Sequence, residues 1–341
     1  MKARSRMKRL LALLPIVASG LLPPTALAAE PRRIVIAHRG ASGYLPEHTL
    51  EAVAVAHALG ADYLEQDVVL TKDGVPVVLH DIHLETVTDV ARRFPDRKRE
   101  DGRYYVLDFT LAEIKQLRVH ERTALGSGQP VFPGRFPLGA ASFEVPTLEE
   151  ELQLVQGLNR STGREAGVYP EIKEPAWHRK QGRDISPIVL ELLARYGYKT
   201  KADRVYLQCF DFDEVRRIRG ELGYQGRMVQ LIGDTPDFNR MRTRAGLLEV
   251  AKVADGIGPP LQQVIAGRTG EAYQVTDLVR DAHSAGLVVH PYTFRADALP
   301  DFAGSIEELL RAFFDVAQVD GVFADQPDRA VAFLRSAGPR P

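Results

Sequence analysis

The chain has 341 residues, 45% apolar and 26% charged, which is ordinary globular composition and excludes a wholly disordered chain or a polytopic membrane protein. Its formal net charge of −1 gives no reason to expect nucleic acid as a partner. The single cysteine, Cys209, excludes an intramolecular disulfide framework and a Cys-based zinc cluster, and its place beside Gln208 marks it as packing rather than a nucleophile.

Lys2, Arg4, Arg6, Lys8 and Arg9 precede an apolar run from Leu10 to about Leu22, then Pro23-Pro24 and the small-residue end Ala26-Leu27-Ala28. That order reads as a secretory signal, residues 1–28, and predicts a periplasmic protein. The run is shorter than the roughly 20 residues a membrane span needs, so no stable membrane insertion is expected after its removal. Loss of five cations leaves 39 basic and 45 acidic side chains, a net of −6.

From residue 34 onward, short apolar runs alternate with helix-period segments. Strands are predicted at 34–37, 63–70, 75–79, 168–172, 205–210, 227–232, 254–258, 287–292 and 321–324. Helices are predicted at 49–59 (stopped by Gly60), 147–158 and 185–196, with capping boxes Asp211/Glu214 and Ser305/Glu308 opening two more and a last one starting near Asp325. The short strand at 75–79 follows a Lys72-Asp73-Gly74 turn. About eight strand–helix repeats predict an α/β fold, a TIM-type (β/α)8 barrel, and the first strand is not followed by Gly-x-Gly-x-x-Gly. Residues about 82–145 break the rhythm with a charged stretch and a Pro/Gly-rich stretch. They read as an insertion after the second barrel strand, partly loop, with a short helix near 111–117, inside a single domain over 29–341.

The chemistry gathers at the carboxyl ends of the strands, where such barrels build active sites. These ends carry His38-Arg39, Glu65 and Asp67, His80-Asp81, Glu171 and Lys173, Gln208, and His290-Pro291-Tyr292. Residues i and i+2 of a strand share a face, so Glu65 points with Asp67 and Glu171 with Lys173. Three carboxylates in one barrel mouth repel by about 4 kcal/mol per pair at 4 Å and an effective dielectric of 20. They need protons or a cation, and an all-oxygen ligand set favours Ca²⁺ or Mg²⁺. His38 and His80 border the same mouth and suit shared acid and base roles, with Arg39 and Lys173 supplying fixed positive charge; the combination suits attack at a phosphoryl centre. His48, His57, His83, His120 and His283 show no partner pattern and receive no role.

The stretches HRGASGYLPEHTL (38–50), LEQDVVLTKDGVPVVLHD (64–81), YPEIK (169–173), LQCFD (207–211), VVHPYTFR (288–295) and DGVFADQPD (320–328) together resemble the glycerophosphodiester phosphodiesterase family, most of all its bacterial periplasmic members. The resemblance implies metal-dependent hydrolysis of small-molecule glycerophosphodiesters to glycerol 3-phosphate and an alcohol. It implies His38 and His80 as the acid/base pair, and Glu65, Asp67 and Glu171 as ligands of Ca²⁺, with Mg²⁺ the other option. Arg39 and Lys173 would bind phosphate; Glu47 would orient the His38-Arg39 pair rather than touch the ion. Gln208, Tyr292 and Phe294 would wall the pocket, and Trp177 would cover the substrate. The family has Asn where this chain has His48, and no role carries over to that side chain. Two other readings are a phosphodiesterase acting on intact phospholipids and a periplasmic phosphodiester-binding protein; the acidic mature charge speaks against the first, the eight βα units and paired histidines against the second.

Overall fold

A computed structural model describes residues 33–336. The signal sequence read at 1–28 lies outside them. Eight parallel strands form the barrel: β1 (Ile34–Ala37), β2 (Tyr63–Leu70), β3 (Gly167–Ile172), β4 (Tyr206–Cys209), β5 (Arg227–Leu231), β6 (Gly256–Gly258), β7 (Val288–Val289) and β8 (Gly321–Ala324). The helices that follow them are α1 (Leu50–Leu59), α2 (Leu148–Thr162), α3 (Ile185–Arg195), α4 (Phe212–Gly220), α5 (Arg244–Val250), α6 (Leu278–Ser284), α7 (Ile306–Arg311) and α8 (Pro327–Ser336). The strand order β7-β6-β5-β4-β3-β2-β1-β8 is that of a (β/α)8 barrel, as expected. β7 is shorter than the predicted 287–292 because Pro291 has no N–H to donate. The seam between β7 and β8 is instead closed by single bonds: Asp320 N–H to Val289 O, Phe323 N–H to Pro291 O, and Phe294 N–H to Phe323 O.

Local signals set the element ends. α1 runs from its Thr49 cap to Gly60, whose φ of 100° ends it. α2 opens with a Thr147/Glu150 capping box and buries Leu148, Leu152 and Val155; it passes the predicted end at 158 and stops at Gly163 in the left-handed region. One excursion was not legible: an antiparallel hairpin, Ile265–Thr269 with Ala272–Val275, stands between β6 and α6.

The insertion is better built than a loop. Residues 84–145 pack a core of their own, including Leu84, Val90, Phe109, Ile114, Val119 and Phe143, against the outer side of Val69 and Val77. Val77 belongs to a short strand, Pro76–Val78, paired antiparallel to β2. The short helix ends at Ile114 rather than 117. Trp177, after β3, does not cover the cleft. Its ring stacks on Tyr105 of the insertion at 5.5 Å and 14°, so it docks the insertion instead.

Inside the barrel, Tyr63, Tyr169, Tyr206, Val229 and Phe323 form an aromatic floor with Ile34 and Ile36. Gly167 makes room for it: a Cβ there would lie 2.3 Å from the Tyr63 ring. His290 belongs to this floor and not to the rim where its sequence position puts it. It is 1% exposed, and its Nδ1 lies 2.9 Å from the Tyr169 hydroxyl. Burial lowers its pKa to about 4. Between pH 6.5 and 4 the unfolded chain binds a proton at His290 that the folded chain does not, so stability falls as pH drops through that window. At about 1.4 kcal/mol per pKa unit this one group accounts for up to ~3 kcal/mol. Urea unfolding from pH 7 to pH 4 should therefore show an acid slope that is shallower by about one proton in His290→Gln; an unchanged slope would remove His290 as a contributor.

Candidate active site

The cross-strand register lines up the acidic cluster. Asp67 of β2 pairs with Glu171 of β3, which pairs with Gln208 of β4. All three inward side chains stand at one level, with Glu65 one inward step below, in register with Tyr169 of the aromatic floor. They line a cleft of about 420 Å³ together with His38, Arg39, His80, Phe210, Leu231, Asp234, Tyr292, Thr293 and Arg295.

Glu65, Asp67 and Glu171 are each at most 5% exposed. Glu65 Oε2 accepts the Arg39 N–H at 2.6 Å, and Gln208 Nε2 approaches Glu65 Oε1 at 3.4 Å. Glu171 Oε1 lies 2.8 Å from Lys173 Nζ, which is also 3.5 Å from Asp67 Oδ1. The electrostatics divide the three acids. Burial, with Asp67 beside it, raises Glu65 well above the ordinary range. Burial and Asp67 also push Glu171 up to about 8, against the pull of Lys173. Asp67 is buried too, but Lys173, His80 and His48 outweigh that and hold it well below the usual range. Asp67 is thus the carboxylate that stays ionised, and its neighbours take up protons or await a cation.

His48, assigned no role from sequence, enters the cluster. Its Nε2 is 2.7 Å from Asp67 Oδ2. One ligand atom each from His48, Glu65 and Asp67 lie within 4.8 Å of one another, a possible cation site among the described residues. Glu171 is not in that triad; its carboxylate is drawn to Lys173. His48 sits at φ +59°, in the left-handed region where Asn and His are enriched among non-glycine residues.

Each of the two predicted imidazoles is backed by an aspartate. His38 Nδ1 and Asp325 Oδ1 are 2.6 Å apart, and His80 Nδ1 and Asp81 Oδ1 are 2.8 Å apart. Burial, reinforced by Arg39, lowers His38 to about 4; burial with Arg39 and Lys173 lowers His80 to about 3. Both rings are neutral near pH 7, and with Nδ1 engaged, Nε2 is left for proton transfer.

Residues 38–329 match the family model described as the glycerophosphoryl diester phosphodiesterase family. The chain belongs to the glycerophosphoryl diester phosphodiesterase family. It is 44% identical to a glycerophosphodiester phosphodiesterase of Haemophilus influenzae over 89% of this chain and 90% of that one. It is 36% identical to one of Treponema pallidum over 92% and 95%. A Silicibacter pomeroyi crystal structure carrying the family name superposes with a TM-score of 0.68 at 29% identity, covering 92% of this chain and 96% of that one.

Within this family fold, Glu47 holds Arg39, its two oxygens 3.0 and 3.1 Å from Arg39 Nη1. Gln208 and Tyr292 line the cleft. Phe294 does not: it is 1% exposed and packs edge-on against Phe313 at 4.9 Å, in the layer between barrel and helices. The segment beyond β7 is no longer a regular strand. Tyr292 and Thr293 both face the cleft, so side chains no longer alternate there, and Phe294, which the family resemblance put in the pocket wall, turns into the outer layer. Asp325, read from sequence as a helix start, is the His38 partner; it is the first residue past β8, and the strand-end rule applied to the eighth strand finds it. Arg122 and Arg135 of the insertion also reach the site, and no sequence signal marks them.

Glu47 also accepts from Arg122 at 2.6 and 2.9 Å, so one carboxylate is shared by two partly buried guanidinium groups. Glu47→Gln leaves both under-compensated and should cost on the order of 3 kcal/mol in urea unfolding; a loss under about 0.5 kcal/mol would show that the two arginines find other partners.

Proposed function

We propose that this chain hydrolyses glycerophosphodiesters, releasing glycerol 3-phosphate and an alcohol, with His38 and His80 as acid and base. The observation that carries the reading is the pair of Asp-backed imidazoles on one cleft that also holds Arg39 and the acidic cluster. The names of the Haemophilus and Treponema relatives support the substrate class. In the reaction, one neutral imidazole takes the proton of the attacking oxygen through Nε2. The other gives a proton to the leaving alcohol oxygen as its bond to phosphorus breaks. The bound phosphodiester brings negative charge beside rings whose burial disfavours protonation, and so favours the imidazolium form in the one that must donate. Arg39, fixed by Glu47, and Lys173 carry the positive charge that meets the phosphoryl oxygens. The attacking oxygen is the glycerol 2-hydroxyl, giving a cyclic phosphate that water then opens with the two roles exchanged.

The acidic cluster fits a divalent cation. Asp67 Oδ1 is buried without a hydrogen-bond partner, and Glu65 and Glu171 hold their charges only at a cost that a cation removes. We assign Glu65, Asp67 and Glu171 as its holders, with His48 beside them, and Ca²⁺ ahead of Mg²⁺ because three protein carboxylates suit an ion that takes most of its ligands from the protein, whereas Mg²⁺ is usually held by one or two carboxylates and keeps several waters. When bound, the cation supplies charge neutralisation at the phosphate. The signal read at residues 1–28 supports export to the periplasm. No helix of the described residues is long and apolar enough to cross a membrane, and a small soluble substrate suits the mainly polar cleft.

Incubation with glycerophosphocholine and Ca²⁺ should release choline, whereas intact phosphatidylcholine should not react; retention of glycerophosphocholine without cleavage would instead mark a binding protein. His80→Ala should lower kcat at least 100-fold, within the range general acid–base catalysis supplies, and leave Ca²⁺ affinity within about threefold. A variant keeping more than a few per cent of wild-type kcat would overturn the role of His80. Calorimetric Ca²⁺ titration of Glu171→Gln and His48→Ala decides the ligand set: Glu171→Gln should weaken binding at least tenfold, and unchanged affinity would exclude Glu171 in favour of the His48 triad.

A further inference from the structure

The network behind the two imidazoles does not end at their aspartates. Asp81 Oδ2 accepts from Arg122 Nη1 at 2.7 Å. The same guanidinium donates to Glu47 through Nε and Nη2, and Glu47 holds Arg39. Asp325 Oδ2 accepts from Arg135 Nη2 at 2.7 Å and from Arg295 Nε at 2.9 Å. Arg135 also donates to both oxygens of Asp297 and, through Nη1, to Ser42 O at 3.2 Å. It therefore ties together the segments that follow β1, β7 and β8. Arg122 and Arg135 both come from the insertion.

The insertion holds the backbone around Arg122 and the side chain of Arg135 in place. Residues 119–123 run between two other insertion segments, with Val119 bridged to Thr88 and Phe143, Thr123 N–H bonded to Thr86 O, and Val131 N–H bonded to Arg122 O. Arg135 lies over the Phe132 ring at 3.7 Å, and its side chain is 5% exposed. Arg122 is 18% exposed at the side chain. These are not the solvated pairs that insertions commonly carry; Arg118 with Glu144, at 41% and 57%, is one of that kind.

We propose that the insertion is the positioning element of the site: Arg122 orients His80 through Asp81, and Arg135 orients His38 through Asp325. An arginine fork that occupies one carboxylate oxygen leaves the other turned to the imidazole, which fixes the ring plane and keeps the proton on Nδ1. The two positions differ in reserve. Asp325 keeps Arg295 when Arg135 is lost, whereas among the described residues Asp81 has no second arginine. Arg122 also reaches Arg39 through Glu47, so its loss reaches phosphate binding as well. The proposal rests on the reading of His38 and His80 as acid and base.

The test uses Arg122→Met, Arg122→Lys, Arg135→Met, Arg135→Lys and the control Arg118→Met in the full chain with Ca²⁺. Two readouts are taken, kcat and KM on glycerophosphocholine and the imidazole ¹⁵N spectrum at pH 7. Arg135→Met should lower kcat about tenfold with KM within threefold and disturb the His38 tautomer signal alone. Arg122→Met should lower kcat between tenfold and 100-fold, raise KM, and disturb the His80 signal alone. The lysine variants keep the charge but reach one carboxylate at a time, so they should recover part of the loss, and they stand in where a methionine variant does not fold. Arg118→Met should match wild type. Wild-type kcat in the methionine variants, or unchanged His38 and His80 spectra, would overturn the proposal; so would an equal loss in Arg118→Met, which would mean that the insertion acts only through stability. If His38→Ala and His80→Ala turn over normally, the acid/base reading fails, while the spectra still report whether the arginines orient the rings.

Discussion

Three carboxylates forced into one barrel mouth repel one another, and much of the site's architecture answers that repulsion. Glu65, Asp67 and Glu171 point inward from two adjacent strands because the parallel register sets Asp67 beside Glu171 and the side-chain period of two keeps Glu65 on the same face. Burial worsens the repulsion, since each charge loses its water. The protein responds with Lys173 against Glu171 and Asp67, the Arg39 amide against Glu65, and His48 against Asp67. These partners leave the cluster short of full compensation, which is the condition that makes it attractive to a divalent cation.

The positive charges need holding in turn. Arg39 stands at φ +56°, a conformation uncommon for its residue type, and Glu47 fixes its guanidinium. Glu47 is itself shared with Arg122, and Arg122 with Asp81. Charge alternates along this chain of side chains from the strand β1 end into the insertion. Beneath it, the tyrosine floor with His290 closes the barrel to water, so the polar network sits on an apolar base and its interactions are little screened.

Much of this is legible in the amino-acid sequence. Apolar runs of four to eight residues mark seven of the eight strands closely, and β7 was overextended because Pro291 carries no amide hydrogen. The caps Asp211 and Ser305 act where the sequence puts them, and Thr49 and Thr147, read as first helical residues, turn out to be the caps of their helices. Strand-end reasoning found His38, Glu65, Asp67, His80 and Glu171, all of which line the cleft. It misplaced His290, and the family resemblance misplaced Phe294, because the chain beyond Val289 is irregular and its side chains no longer alternate between the two faces. The strand-end rule gave no signal for His48, whose approach to Asp67 depends on a left-handed backbone turn; Asp325 stands just past the end of the eighth strand, within reach of the same rule, but reads only as a helix start, and its partner His38 lies 287 residues away in sequence.

The amino-acid sequence by itself determined the repeating βα architecture, the family, and the side chains at the strand ends, because burial periodicity and strand-end position are local properties that a single chain displays directly. Tertiary structure alone decided which groups compensate those side chains. Arg122, Arg135, Asp325 and His48 meet their partners only once the barrel closes and the insertion folds its own core against β2. An ion pair between distant segments leaves no periodic trace in a sequence; it exists only as a distance.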